Sequence, residues 1–134
     1  MSDADRQLIE RIRGALAQRP EVRLALLFGS RARGVERERS DVDLAVAAAP
    51  LDRLGIMRDL SMATGLSVDV VDLDRAGYFL LTALLRDGIV VHEGRRHAAA
   101  EWRTRAILET ETDRANFERM RDAFLRKTAE AARG

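Results

Sequence analysis

The chain has 134 residues, of which 34% are charged and 46% hydrophobic, with a net charge of +1 and no cysteine. This composition is typical of one folded domain and excludes a disordered chain, a disulfide framework and a thiolate metal site. The longest apolar runs are too short to cross a bilayer, and the acidic N-terminus lacks the pattern of a signal peptide, so we expect a cytoplasmic protein. The small net charge argues against nucleic acid as a ligand.

Hydrophobic periodicity predicts helices that alternate with short strands. The predicted helices cover residues 3–18, 51–64 and 78–86, with a short helix or turn at 31–34, and the predicted strands cover 22–28, 41–47, 67–73 and 89–92. Pro20, Gly65 and Gly88 lie where the three longer helices should end. This order favours an α/β fold with a mixed sheet and helices packed on it.

Two short motifs flank a charged stretch after the first predicted strand. Gly29 and Ser30 follow that strand, and Asp41 and Asp43 open the next one. Side chains two residues apart on a strand share a face, so both carboxylates can hold Mg²⁺, which prefers oxygen ligands. A glycine lets the backbone approach a phosphate closely, and free N–H groups at a helix start can bind it. Together the motifs predict a metal-dependent enzyme that acts on a nucleoside triphosphate.

Other residues near these motifs are open to more than one interpretation. An Asp-x-Asp pair alone also fits an exposed edge strand, and Gly-Ser alone fits an ordinary turn. Asp69 interrupts an apolar strand, where a desolvated carboxylate needs a partner or a metal. Asp72 has the opposite strand parity and is expected in the following turn. Arg31 could bind a phosphate or belong to the charged surface stretch that follows it.

The run from Phe28 to Leu44 reads Phe-Gly-Ser-Arg-Ala-Arg-Gly, then a charged stretch, then Ser-Asp-Val-Asp-Leu. It resembles the signature of the minimal nucleotidyltransferases, a family of the DNA polymerase β-like superfamily. The resemblance covers roughly residues 22–94 and implies the nucleotidyltransferase fold. It also implies that Asp41 and Asp43 hold two Mg²⁺ ions beside ATP or another triphosphate. In that family a third carboxylate on a later strand completes the site, and Asp69 is the matching position.

The resemblance also implies a biological role. Minimal nucleotidyltransferases are commonly paired with a small helical HEPN protein, often an RNase toxin. The implied activity is transfer of AMP from ATP to a tyrosine of that toxin, as in a type VII-like toxin–antitoxin pair. Two alternatives stay open: a nucleotidyltransferase for a small molecule such as an antibiotic, and a binding module that neutralises its partner by contact alone.

Residues 95–134 form a charged tail beyond the predicted catalytic domain, residues 1–94. The tail reads as helix from Ala98, with a break or kink expected at residues 110–113, where strong helix formers are scarce. Phe117, Met120 and Phe124 fall on one helix face that must be buried. This face could fold back on its own core or dock on another subunit of a homo- or hetero-oligomer. Trp102 is expected to serve packing.

Overall fold

The structure is a computed structural model that describes residues 1–33 and 41–133. The helices within these residues are α1 (Asp3–Leu16), α2 (Arg53–Thr64), α3 (Tyr78–Asp87) and α4 (Ala98–Arg133), with a short 3₁₀ turn at Leu73–Arg75. The strands are β1 (Val22–Phe28), β2 (Val42–Ala48), β3 (Val68–Asp72) and β4 (Ile89–Glu93). The predicted strands and the three longer helices are therefore confirmed in type and order. Residues 31–33 form a turn, and Gly34 lies outside the described residues.

The strands form one mixed sheet in the order β3-β2-β1-β4. Strand β1 pairs antiparallel with both β2 and β4, whereas β2 and β3 run parallel. A parallel pair needs a crossover connection, and α2 supplies it between β2 and β3. This mixed sheet with flanking helices confirms the predicted fold class. No helix in the described part of the chain is both long and apolar enough to span a membrane.

Both faces of the sheet are covered by helices. Along β2, Val42, Leu44 and Val46 pack into the layer that holds α1 and α2. Ala45 and Ala47 pack into the opposite layer, which holds α3 and the start of α4. Within β2, every residue except Asp43 is therefore buried.

Arg19, just beyond the end of α1, fixes the start of α2. Its guanidinium lies 2.8 Å from Asp59 and 3.2 Å from Asp52, the residue that caps α2. The hydrogen bond from Arg19 lowers the pKa of Asp59, while the Gly55 N–H and then Arg19 lower the pKa of Asp52. This arginine, whose side chain is only 14% exposed, therefore binds both the cap and the middle of α2.

The C-terminal helix α4 runs without interruption from Ala98 to Arg133, so the break expected at residues 110–113 is wrong. Thr110 is buried, and its hydroxyl donates a 2.8 Å hydrogen bond to the Ala106 carbonyl one turn earlier. A threonine bonded in this way satisfies its hydroxyl inside the helix and does not begin a new one. The prediction failed because tertiary burial outweighs a weak local propensity.

Only the first part of α4 belongs to the core. Ala98, Trp102, Ala106 and Thr110 are buried, with Trp102 only 8% exposed, which confirms its packing role. Every residue from 111 to 133 is exposed. Of the two alternatives for Phe117 and its neighbours, folding back on their own core is therefore excluded. The division into residues 1–94 and 95–134 stays a prediction.

Truncating the buried and the exposed aromatic residues of α4 should have unequal effects. Trp102→Ala should lower the free energy of unfolding by about 3–5 kcal/mol, because it removes a large core side chain. Phe117→Ala on the exposed half should change it by less than about 0.5 kcal/mol. Urea denaturation followed by circular dichroism measures both, and equal losses would contradict this division of the helix.

Candidate active site

Gly29 ends β1 directly beside the carboxylate of Asp43 on β2. The preceding residue, Phe28, is the cross-strand partner of Asp43. Gly29 has φ of +78°, a conformation that residues with side chains rarely adopt. A Cβ at this position would lie 2.5 Å from Oδ2 of Asp43. The glycine is therefore required twice, for its backbone conformation and for the space that the carboxylate occupies.

Three carboxylates lie at this end of β2 and β3. Asp43 is half-buried, Asp69 is its partner in the parallel register of β3, and Asp41 is exposed just before β2 begins. Burial, followed by the negative charges of Asp69 and Asp41, raises the pKa of the Asp43 carboxyl. The carboxylates are thus close enough to repel one another, and a bound cation would relieve that repulsion.

The carboxylate oxygens suit Mg²⁺ in their chemistry, since this ion takes oxygen ligands from one or two carboxylates and completes its shell with phosphates and water. Within residues 1–33 and 41–133, no three acidic, histidine or cysteine side chains are gathered closely enough to form a metal site by themselves. The chemistry and the mutual repulsion of the carboxylates therefore fit an ion that is shared with a substrate phosphate. The metal roles of Asp41, Asp43 and Asp69 stay predictions.

Asp69 is more open to solvent than its apolar neighbours in sequence suggest. Its side chain is 54% exposed, and one carboxylate oxygen lies 3.7 Å from the guanidinium of Arg53, at the start of α2. The expectation of a desolvated Asp69 is therefore wrong. The sequence carries no signal for Arg53, because its place beside Asp69 depends on how α2 crosses from β2 to β3. Asp72 is the last residue of β3, so its expected place in the following turn is off by one residue. Its carboxylate accepts a 3.0 Å hydrogen bond from the Asp74 N–H and caps the 3₁₀ turn.

Ser30 and Arg31 lie in the turn that follows Gly29. The turn is closed by a 3.3 Å hydrogen bond from the Arg33 N–H to the Gly29 carbonyl. Arg31 lines a cavity of about 240 Å³ beside Leu27 and the first turns of α1. Because Leu27 packs into the α1 layer, this cavity lies on the side of the sheet opposite to the α3 layer. The nucleotide-binding roles of Gly29, Ser30 and Arg31 stay predictions, and the charged stretch 34–40 lies outside the described residues.

The family follows from a comparison of the sequence with known families. Residues 10–97 match the family described as polymerase beta, nucleotidyltransferase, a span that contains all four strands and the glycine and carboxylate motifs. The chain belongs to this nucleotidyltransferase family. The resemblance read from the run Phe28 to Leu44 is thereby confirmed.

The chain is also similar to individual proteins whose activity or partner is named. The chain is 36% identical over 73 residues to the protein adenylyltransferase MntA of Shewanella oneidensis, a match that covers 52% of this chain and 52% of that protein. The chain thus spans about half the length of the curated relative that it matches. A chain from the crystal structure of a toxin–antitoxin with AMP-PNP superposes with a TM-score of 0.72 at 27% identity, covering 87% of this chain and 98% of that one.

A second solved structure is the tri-AMPylated Shewanella oneidensis HEPN toxin in complex with an MNT antitoxin. One of its chains superposes with a TM-score of 0.68 at 25% identity, covering 90% of this chain and 98% of that one. The similarity therefore extends from the sheet into part of the long C-terminal helix.

Two glycines with positive φ provide a matched test of the contact between Gly29 and Asp43. Gly65→Ala should cost about 1–2 kcal/mol of unfolding free energy from the left-handed backbone alone, because a Cβ at Gly65 meets nothing within 4 Å. Gly29→Ala should cost more, since its Cβ would also collide with Asp43. Adding Asp43→Ala should recover part of that loss and leave the Gly65→Ala loss unchanged. Urea denaturation of the singles and doubles would contradict the contact if the two glycines behaved alike.

The raised pKa of Asp43 gives a dependence of stability on pH. Between the ordinary value of 3.8 and the raised value, the folded chain holds this proton more firmly than the unfolded chain does. The stability of the ligand-free protein should therefore fall as the pH rises through that window and stay lower above it. Asp43→Asn should raise the Tm at pH 7 and remove this fall. Asp72→Asn, which only loses a turn cap, should not raise the Tm; thermal scans from pH 3 to 8 compare the two.

Proposed function

We propose that this chain is a Mg²⁺-dependent adenylyltransferase that transfers AMP from ATP to a tyrosine of a HEPN-type toxin and acts as its antitoxin. The observation that carries the proposal is the contact of Gly29 with Asp43 beside Asp69, within the sheet of a nucleotidyltransferase family. The names of the relatives support the choice of AMP and of a toxin as acceptor. A cytoplasmic location belongs to the same proposal.

The proposed transfer needs little covalent chemistry from the protein. The tyrosine oxygen forms a bond to the α-phosphorus of ATP, the bond from that phosphorus to the bridging oxygen breaks, and pyrophosphate leaves. Asp69, which is half-exposed, is our candidate for taking the hydroxyl proton from an incoming side chain. The turn at Gly29 and Ser30 offers backbone N–H groups to the β- and γ-phosphates. When bound, Mg²⁺ would neutralise the triphosphate charge and lower the pKa of the attacking hydroxyl.

Asp41 and Asp43 would hold the metal that accompanies ATP. Their negative charges repel the triphosphate in the absence of a cation, so binding of ATP and of Mg²⁺ should be mutually dependent. Arg53, beside Asp69, adds a positive charge near the site. This arrangement relies on positioning and charge neutralisation, the two effects that dominate phosphoryl-group chemistry.

A second candidate is a contact-only antitoxin. The observation in its favour is the exposed half of α4, which presents Phe117, Met120 and Phe124 to a partner without any need for transfer. Both candidates bind the same partner protein. They differ in whether neutralising the toxin requires transfer of AMP.

Intact-mass spectrometry tests the transfer. The proposal predicts that a HEPN-type protein is encoded beside this chain's gene. Incubation of this chain with that protein, ATP and Mg²⁺ should raise the partner's mass in steps of one AMP. Asp43→Asn should lower the rate at least about 100-fold, because loss of a metal ligand removes several kcal/mol of transition-state stabilisation. A variant that keeps more than about a tenth of the rate would contradict the metal assignment.

Two carboxylates of β3 provide the internal control. Asp69→Asn should cripple the transfer yet largely spare the binding of Mg-ATP, whereas Asp72→Asn, outside the carboxylate cluster, should be mild. An unmodified partner whose toxicity is still relieved by the Asp43→Asn protein would establish the contact-only alternative instead.

A further inference from the structure

The buried stripe of α4 continues beyond the edge of the core. Positions spaced alternately by four and three residues lie along one face of a helix. This spacing leads from the buried Ala106 and Thr110 through Asp113 to three side chains that we call the overhang stripe: Phe117, Met120 and Phe124. They are 62%, 73% and 68% exposed. The exposed part of α4, residues 111–133, is about 34 Å long at the usual rise per residue.

A groove lies at the base of the overhang stripe. It is a cavity of about 480 Å³ between the 3₁₀ turn, α3 and α4, with Leu73, Leu81 and Trp102 among its apolar lining residues. Thr112 and Asp113 close it on the α4 side, and Asp113 also begins the exposed continuation of the stripe. One elongated occupant could therefore fill the groove and then cover the stripe.

The charges differ between the two edges of the overhang stripe. Arg114 and Arg121 line one edge, whereas Asn116 and Ala123 occupy the corresponding positions of the other. The two arginines are more than half exposed and pair with acidic neighbours within α4. Such exposed pairs are weak, so both guanidinium groups can be recruited by carboxylates of a partner.

Charge argues against a second copy of this chain as the occupant. In a parallel pair of α4 helices, Asp113 would face the same residue of the other copy across the seam, and so would Lys127. In an antiparallel pair centred on the apolar residues, Arg121 of one copy would lie beside Arg114 or Arg121 of the other. Like charges at these positions select against pairing, as they do in coiled coils.

We propose that the overhang stripe and the groove bind one amphipathic helix of a different protein. That helix carries apolar residues at the same alternating spacing and carboxylates along the edge that meets Arg114 and Arg121. The inference rests on the proposed function in one respect, since it takes the HEPN-type toxin as the source of the helix. It does not depend on the transfer of AMP.

Titration calorimetry with the HEPN-type partner that the proposed function predicts tests the stripe. Phe117→Ser combined with Phe124→Ser should weaken binding at least tenfold while the affinity for Mg-ATP stays unchanged. Leu125→Ser is the matched control, because Leu125 is an exposed apolar residue outside the overhang stripe, about 100° around the helix axis from Phe124. It should leave both affinities unchanged, and circular dichroism should show that all variants keep their helix.

A charge-reversal pair tests the basic edge. Arg114→Glu with Arg121→Glu should weaken binding several-fold, and the difference should shrink as salt is raised, because exposed charges are screened. Arg119→Glu with Arg126→Glu places the same charge change on the opposite side of α4 and should have little effect. Equal losses in the two pairs would reduce the effect to net charge and overturn the proposed edge.

The remaining outcomes separate this inference from the proposed function. Unchanged partner affinity in the Phe117 and Phe124 variant overturns the docking surface, even if AMP is transferred normally. Loss of affinity in that variant, with no AMP transferred by the unmodified chain, supports the docking surface and overturns the transfer. Light scattering on the chain alone should give a monomer. A dimer that the same double variant dissolves would assign the stripe to a second copy and overturn the choice of partner.

Discussion

The antiparallel pairing of β1 with β2 is the constraint on which the site depends. This pairing sets Phe28 opposite Asp43, so that the next residue, Gly29, turns away against the Asp43 carboxylate. Two motifs that are separated in the chain by a charged stretch thereby become one contact. The parallel register of β3 on β2 then brings Asp69 beside Asp43 on the same face of the sheet. Every other feature of the site is arranged around these two pairings.

The carboxylates of Asp41, Asp43 and Asp69 repel one another, and the fold holds them close despite that repulsion. Burial and like charges raise the pKa of Asp43, so the ionised form is disfavoured in the protein without a cation. The fold tolerates this because its stability comes from two apolar layers, one on each face of the sheet. Arg19 pairs with Asp52, the residue that caps α2. The residue after Asp52 is Arg53, which lies beside Asp69. Stability and chemistry are thus supplied by different parts of the sheet, as in other proteins whose sites are locally strained.

The strands and longer helices could be predicted because their signals are local. A strand is recognised from the alternation of neighbouring residues, as in β2. A helix end is recognised from one or two residues, such as Pro20 and Gly65. The helix break predicted at residues 110–113 and the place of Arg53 beside Asp69 are different cases. Both depend on contacts between elements that are distant in the chain. The same is true of the exposure of Asp69, whose apolar neighbours pack well although its own side chain reaches solvent. Sequence patterns therefore predict the strands, the longer helices and the motifs. The burial and the neighbours of individual side chains depend on tertiary packing.

Strand β3 runs from the carboxylates of the candidate site to the groove of the proposed docking surface. Asp69 lies near the start of this strand and Leu73, in the groove, follows its end, a separation of about 13 Å at the usual rise of a strand. Asp69 shares its face of the sheet with Val71, which packs into the same layer as Leu73 and Trp102. A helix seated in the groove would therefore lie on the face that carries the carboxylates, within a few residues' reach of them. In the proposed transfer, such seating would hold the acceptor tyrosine in one orientation relative to the phosphate, and orientation is a large part of what phosphoryl-group chemistry requires.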